Sequence, residues 1–285
     1  MTDAVTGYIR GKTFRGRSAE LVKHLFILSV LVFAFFPLYM TLNISFKNNR
    51  EFYRQQWLPT SPMHAENYSI GWDTVGAAIP NTIFLAVMGT LGVLAAALLG
   101  AYVFARYRLP GHNLLWSTFM ILLLMPTIAN LVPLFILLRD THLLDTYTAL
   151  ILTGMAGGQV FNIWILRNFI EDTPEELFEA AEMDGAGSLR QIWNVVIPMN
   201  GATLATLACL SFIGGWNNFL LPYLIIIDPQ RLPIAVSLYR LEGAYVREWG
   251  PTMASYAIAS IPMVILFIFT MRFFIRGIGT GALKG

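Results

Sequence analysis

Charged residues are scarce in this sequence of 285 residues, in which Asp, Glu, Lys and Arg make up 13% and hydrophobic residues 56%. A soluble domain typically contains about 25% charged residues, so this chain has too few of them to cover a surface in water. The formal net charge of only +2 excludes a strongly basic protein that binds nucleic acid. The composition therefore predicts an integral membrane protein.

Residues and motifs that carry catalysis or metal binding are also few. The single cysteine, Cys209, excludes an intrachain disulfide framework, and its apolar neighbours indicate a small packing residue. Neither the His-Glu-x-x-His motif of zinc proteases nor the Gly-x-Ser-x-Gly motif of hydrolases occurs. The basic segment at residues 7–13 resembles a phosphate-binding loop, but it has three residues between its glycines where the motif needs four. The sequence thus gives no support to an enzyme.

Six long stretches without Asp, Glu, Lys or Arg dominate the chain. Each has at least 18 residues, and about 20 apolar residues are needed to cross the hydrocarbon core of a bilayer. We predict an all-α membrane protein, with one membrane domain at residues 25–285 behind an N-terminal tail at residues 1–24. The predicted spans lie at residues 25–46, 82–104, 114–138, 149–166, 199–227 and 252–271.

The absence of ionisable residues from all six predicted spans also bears on mechanism. Carriers coupled to protons or ions usually place such residues within the bilayer, where they relay charge. The uncharged spans therefore argue against a secondary transporter or channel, which is kept as one alternative function. A membrane enzyme or scaffold is a further alternative.

The orientation in the membrane follows from the basic residues between the spans. With the N-terminus inside, 12 of the 19 Lys and Arg residues lie on the inner side and 7 on the outer side. Cytoplasmic loops carry the excess of these residues. The bias predicts that both termini are cytoplasmic.

Small residues form a stripe along the second predicted span. Gly92, Ala96 and Gly100 recur every four residues, which places them on one helix face where another helix can approach closely. Prolines interrupt other predicted spans, at Pro37, Pro126, Pro133 and Pro262. Such breaks are tolerated where neighbouring helices or a wet cavity satisfy the freed backbone groups, so the pattern is typical of a bundle around a path.

The connection between the fourth and fifth spans is too patterned to be a simple turn. Residues 173–176 and residues 188–191 both have the spacing of a capping box, which marks a helix start. Gly185 between them suits a left-handed helix end. The sequence predicts a helix, a glycine turn and a second helix on the inner side, with acidic residues on the first. Two interpretations are open: a solvated amphipathic loop, or a docking element for a cytoplasmic partner.

The same connection resembles the signature E-A-A-x3-G-x9-I-x-L-P of ABC importer permeases. Val195 and Ile197 replace the Ile and Leu of that signature and keep apolar groups of similar size. The residues that carry the resemblance are Glu179, Ala180, Ala181, Asp184, Gly185, Ala186 and Pro198.

The resemblance extends over nearly the whole chain from Leu25 onward. The stretches at residues 101–106, 215–219 and 281–285 are similar to those of carbohydrate permeases, in particular the smaller of the two permease subunits of maltose-type importers. Residues 1–24 are not covered.

This resemblance implies a division of labour among several proteins. A second, homologous permease subunit would complete the path across the bilayer, two ATPase subunits would hold ATP and Mg, and an extracytoplasmic sugar-binding protein would deliver the cargo. The connection at residues 171–198 would be the coupling element that docks on the ATPase, with a polar contact from Glu179 and the turn at Gly185. The chain itself would bind no cofactor and would lie in the inner membrane.

The resemblance favours a di- or oligosaccharide or a related polyol as cargo, and an acidic oligosaccharide stays open. Sugar sites combine aromatic faces with amide and hydroxyl groups, which suggests that five residues line a path, although helix packing is the alternative for each. In maltose-type importers the companion permease makes most of the sugar contacts. The five residues are Asn130, Trp216, Asn217, Asn218 and Tyr223.

Overall fold

The structure, a computed structural model, describes the backbone of residues 14–243 and 248–282, and side chains from residue 20 to residue 271 except those of Thr127 and residues 242 and 244–247. Every regular element in this part of the chain is helical, which confirms the predicted all-α fold. The α-helices are α1 (Phe14–Ser45), α2 (Asn49–Arg54), α3 (Glu66–Val75), α4 (Ala78–Arg106), α5 (His112–Ile121), α6 (Leu131–Asp140), α7 (Tyr147–Glu171), α8 (Glu175–Met183), α9 (Ser188–Gln191), α10 (Ile197–Met199), α11 (Gly201–Trp216), α12 (Leu220–Ile225), α13 (Ile234–Glu242) and α14 (Trp249–Ala282). Short 3-10 helices lie at Leu122–Leu124, Thr127–Asn130 and Pro229–Arg231, and a π-helix lies at Ile192–Val196.

Five stretches among the described residues are long and apolar enough to cross a membrane as they stand. They are Glu20–Ser45, Ala78–Arg106, Tyr147–Glu171, Gly201–Ile225 and Trp249–Met271. A sixth candidate, made of His112–Leu124 and Ile128–Asp140, is bent by 90°. Five or six such stretches in a wholly helical chain agree with the predicted membrane fold.

Helix boundaries differ from the predicted spans, and two of the predicted spans are broken. The third span, predicted at residues 114–138, breaks at Met125 and Pro126, which both have a ψ of 122°. Proline lacks the N–H that a helix needs and forces the residue before it into an extended conformation. The fifth span, predicted at residues 199–227, is interrupted between Trp216 and Leu220, and the fourth, predicted at residues 149–166, is longer than expected.

Two predicted interruptions are absent. Helices α1 and α14 continue through Pro37 and Pro262, so these prolines do not divide their spans. Helix α1 begins at Phe14, inside the predicted tail at residues 1–24, and residues 1–13 of that tail lie outside the described residues.

Glycines let the three central helices α4, α7 and α11 pack closely. A Cβ on Gly100 of α4 would lie 2.7 Å from Cδ1 of Ile163 in α7, and Gly92 faces Met155 of α7 in the same way. A Cβ on Gly215 of α11 would lie 3.1 Å from the α4 backbone. The close approach predicted from the small-residue stripe is therefore found between α4 and α7.

The bundle end that carries α2 and α3 is fastened by a lysine that is only 1% exposed. Lys47 Nζ donates hydrogen bonds to the carbonyl oxygens of Gln55, Gln56 and Leu58, at 2.6, 3.2 and 2.7 Å. Burial lowers the pKa of Lys47, and the carboxylate of Glu51 opposes this shift. Three carbonyl acceptors thus hold the segment after α2 against the end of α1.

Candidate functional site

The EAA segment, defined here as residues 171–198, joins α7 to α11 through α8, α9 and the π-helix. Its turn is a Schellman motif: the N–H of Ala186 donates to the carbonyl of Ala181 at 2.8 Å, and the N–H of Gly185 donates to that of Glu182 at 2.9 Å. Gly185 has a φ of +74°, in the left-handed region that favours glycine. The predicted helix, glycine turn and second helix are therefore present.

Both capping boxes predicted for the EAA segment are wrong. The hydroxyl of Thr173 donates back to the carbonyl of Phe169 at 3.0 Å, and α8 begins after Pro174 without a side-chain cap. The hydroxyl of Ser188 lies 2.8 Å from that of Tyr107, and Gly187 occupies the cap position of α9. Each hydroxyl forms its hydrogen bond with a residue outside the capping box, and the spacing in the sequence does not show this alternative partner.

A buried aromatic ring attaches α8 to the membrane bundle. Phe178 is 0% exposed and packs in a core cluster with residues of α4 and α7, including Tyr102 and Ile170. The guanidinium of Arg106, in the last turn of α4, lies 4.1 Å from the centre of the Phe178 ring, and its Nη1 is 3.2 Å from Glu175 Oε1. The first helix of the EAA segment is thus held by packing, by a cation–π contact and by an ion pair.

A buried glutamine attaches the second half of the segment. The hydroxyl of Tyr102 donates to Gln191 Oε1 at 2.5 Å. Gln191 Nε2 donates to the carbonyl of Ala186 at 3.3 Å and to Glu182 Oε1 at 3.2 Å. Through Gln191, therefore, the end of α4 is connected to both sides of the glycine turn.

We expect Tyr102→Phe to loosen this connection. The substitution leaves Gln191 Oε1 buried without its donor, which costs about 1–3 kcal/mol. The measurement is the rate at which a protease cleaves the EAA segment in the purified protein, and we expect a clear increase. Tyr107→Phe is the matched control, because its hydroxyl bonds Ser188 at an exposed position. Equal cleavage rates in the two variants would contradict a special role for the buried bond.

The residues expected to contact an ATPase lie mostly on the surface of the EAA segment. Ala186 is the exception, because it is buried inside the Schellman turn and does not contribute to the exposed surface. Glu179, Ala180, Asp184, Gly185 and Pro198 are exposed, and Ala181 is partly exposed.

Large apolar side chains extend this exposed surface. Trp193 is 69% exposed, and Met183 and Leu189 are also exposed. The sequence pattern places Leu189 and Trp193 on one face with two residues that the structure buries, Ile192 and Val196. Ile192 and Val196 pack in the same core cluster as Phe178, whereas Leu189 and Trp193 are exposed, so the four residues do not share one buried face.

A second candidate region is a cavity of about 470 Å³ between α4, α7, α11 and α12. Glycines and small or apolar side chains form most of its wall. On α4, α7 and α11 the lining residues include Gly89, Thr90, Gly154, Gly158, Phe161, Asn162, Ser211 and Gly214. Asn218, just beyond the end of α11, also lines the cavity.

Two polar side chains of the cavity wall are buried with atoms that lack a partner among the described residues. Asn162 is 4% exposed, and its Nδ2 donates to the carbonyl of Gly158 at 2.7 Å, which leaves Oδ1 unpaired. Thr90 is 9% exposed, and its Oγ1 is unpaired as well. A buried polar atom without a partner costs about 1–3 kcal/mol, so both atoms have hydrogen-bonding capacity left for water or a solute.

Of the five residues predicted to line a path, the cavity contains one, Asn218. Trp216 is buried in a different core cluster, and Asn217 Nδ2 donates to the carbonyl of Ile213 in its own helix at 3.0 Å. The Tyr223 ring stacks on that of Phe219, with 5.3 Å between ring centres. Asn130 is exposed in the 3-10 helix after the break in the third span.

Sequence reasoning missed Thr90, Asn162 and Ser211. A usable signal was present, because each is a polar residue within an uncharged span and near glycines on the same helix, such as Gly89, Gly158 and Gly214.

The sequence matches the family described as "Binding-protein-dependent transport system inner membrane component" over residues 90–280. It is 30% identical over 275 residues to the sn-glycerol-3-phosphate transport system permease protein UgpE of Yersinia pestis, covering 92% of this chain and 96% of that protein. It is 27% identical over 272 residues to the diacetylchitobiose uptake system permease protein NgcG of Streptomyces coelicolor, covering 94% of this chain and 90% of that protein.

The fold is similar to that of a chain in the crystal structure of a bacterial ABC transporter involved in the import of the acidic polysaccharide alginate. The TM-score is 0.78 at 22% sequence identity, and the match covers 92% of this chain and 98% of that chain. A second structure, of the bacterial alginate ABC transporter in complex with alginate pentasaccharide-bound periplasmic protein, matches with a TM-score of 0.64 at 14% identity and covers 91% of this chain and 96% of that chain.

Proposed function

The chain belongs to the family of binding-protein-dependent transport system inner membrane components, and from this premise we propose that it is one of two permease subunits in an ATP-driven carbohydrate importer. It is a transport subunit of the inner membrane and not an enzyme. Its cargo is a di- or oligosaccharide or a related polyol. The relative named for diacetylchitobiose, a disaccharide, supports this class of cargo.

The single observation that carries the coupling role is the form of the EAA segment. An exposed acidic helix and an exposed apolar patch are held by a rigid glycine turn on the ends of α4 and α7. A soluble partner that docks there and moves therefore transmits its motion to spans instead of to a loose loop. The partner is the ATPase, two copies of which hold ATP and Mg outside this chain.

The companion permease subunit packs against apolar surface that this chain leaves open. The most apolar stretch of α1, within Glu20–Ser45, has no buried residue. Large side chains around the break in the third span, such as Leu124 and Ile128, are also exposed. Lipid and the second permease share this surface. Both termini face the cytoplasm, and the sugar-binding protein approaches from the opposite side, where the basic residues between spans are fewer.

We expect Glu179→Lys to weaken ATPase docking, because it places a cation where the exposed surface of α8 is acidic. The measurement is the amount of ATPase that co-purifies with the tagged chain, together with sugar uptake, and both should fall at least about tenfold, which corresponds to about 1.4 kcal/mol of lost docking free energy. Asp172→Lys is the control, since it makes the same charge reversal at an exposed position outside α8. Unchanged ATPase recovery and unchanged uptake in the Glu179 variant would refute the docking role.

A further inference from the structure

We propose that the cavity between α4, α7 and α11 is a subsite of this chain for an uncharged, hydroxyl-rich solute such as a sugar ring, and that Asn162 and Thr90 bind its hydroxyl groups. The inference rests on the proposed function and makes it more specific, because it assigns cargo contacts to this subunit and not only to its companion.

The first step concerns hydrogen-bonding capacity. One N–H of Asn162 Nδ2 donates to the carbonyl of Gly158, which sets the orientation of the amide, and the free Oδ1 can only accept. Thr90 Oγ1 can both donate and accept. A ligand that satisfies both atoms must therefore carry a donor, and a sugar hydroxyl, which donates and accepts, satisfies either atom. Ser211 and Asn218 add a hydroxyl and an amide to the same wall.

The second step concerns charge. No ionisable side chain lines the cavity among the described residues. A phosphate or carboxylate inside it would have no opposite charge to replace its water, which is strongly unfavourable at membrane depth. The cavity therefore selects against anions, although relatives are named for anionic cargo.

The third step concerns shape. Cβ atoms built on Gly89, Gly154 and Gly214 would meet nothing within 4 Å, so the space that these glycines leave is open. The Phe161 ring, which is exposed, supplies an aromatic face beside the polar groups. Small-molecule sites combine an apolar and aromatic wall with a few placed polar groups in this way.

A filling variant tests the subsite without disturbing the helix. In Gly154→Leu the new side chain has room at its base and extends into the cavity, whereas Gly157→Leu on the same helix also has room but does not line the cavity. In the complete importer reconstituted in vesicles, we expect Gly154→Leu to reduce uptake more than about tenfold and Gly157→Leu to leave it near wild type. The companion permease should co-purify equally with both variants. If only Gly154→Leu loses the companion, the cavity is part of the subunit interface and the proposal is overturned.

Hydrogen-bond variants test the chemistry. The neutral probes are mono-, di- and trisaccharides and polyols, and the anionic probes are sn-glycerol 3-phosphate and an alginate oligosaccharide. For each probe we measure its uptake and how far it stimulates ATP hydrolysis. For the neutral probe that is transported, we expect Asn162→Leu to raise KM about tenfold and Thr90→Val to raise it by a smaller factor. Thr206→Val is the control, because its hydroxyl bonds Ala202 outside the cavity.

The outcomes separate the two claims. Transport of a neutral probe with an unchanged KM in both variants overturns the subsite and leaves the importer assignment intact. Transport of the anions alone overturns the selection for uncharged cargo. Transport of no probe, with no stimulation of ATP hydrolysis, counts against the importer assignment itself and against the subsite that rests on it.

Discussion

We expect the replacement of Gly185 with Val to reduce sugar uptake at least about tenfold, while the chain still inserts in the membrane. Gly185 has a φ of +74°, and a Cβ at this position would meet nothing within 4 Å, so the penalty comes from the backbone and not from a clash. A left-handed conformation costs a residue with a Cβ about 1–2 kcal/mol, and a β-branched residue is among the least tolerant. The Schellman turn opens as a result, and α8 no longer holds its position relative to the second helix.

The EAA segment contains its own control for this experiment. Gly187, two residues later, also has open space around a Cβ, but its φ is −74° and its backbone is extended. Val fits that conformation, and the cap position has no side-chain hydrogen bond to lose. We expect Gly187→Val to transport at near wild-type rate and Gly185→Asn to recover part of the loss, because Asn tolerates the left-handed region. Similar losses in both Val variants would show that bulk, and not φ, matters here.

We expect the replacement of Phe178 with Ala to detach α8 from the bundle. The side chain is fully buried, and truncation of a buried Phe costs about 3–5 kcal/mol. The substitution also removes the ring that lies beneath the guanidinium of Arg106. We expect sugar uptake to be lost and the EAA segment to become sensitive to protease, with the membrane spans still intact.

The neighbouring Leu177 provides the comparison. Its side chain is exposed, so Leu177→Ala removes similar apolar bulk from the same helix without opening a cavity. Uptake and protease resistance near those of the wild type are expected for this variant. If Phe178→Ala retains protease resistance in the EAA segment, then Phe178 is not the anchor that its burial indicates.

How far the sequence predicts the fold depends on the range of the interaction. Long uncharged stretches predict the spans because every residue that crosses the hydrocarbon core of the bilayer must be compatible with it. Gly185 is predictable because a left-handed helix end is a local requirement. The consequences of proline are less predictable, because Pro126 breaks a span while α1 and α14 continue through Pro37 and Pro262.

The predicted site residues fail where a partner lies far away in the sequence. Ser188 has the spacing of a cap but pairs with Tyr107, 81 residues earlier. Gln191 was expected to complete that cap, yet it bonds Tyr102, 89 residues away. Trp216 has the chemistry of a sugar platform but packs with Val75 and Ile258 of other helices. The sequence shows which side chains can form hydrogen bonds, but the packing of the helices determines which distant residues become their partners.

Identifying what co-purifies with this chain tests the central claim most directly. The chain is tagged in its native host, extracted in a mild detergent and analysed for bound proteins. We predict that a second permease and an ATPase accompany it, and that the ATPase but not the permease is lost in the Gly185→Val and Phe178→Ala variants. Recovery of the chain alone, or only with copies of itself, under several gentle extraction conditions would contradict the account of a permease coupled through the EAA segment.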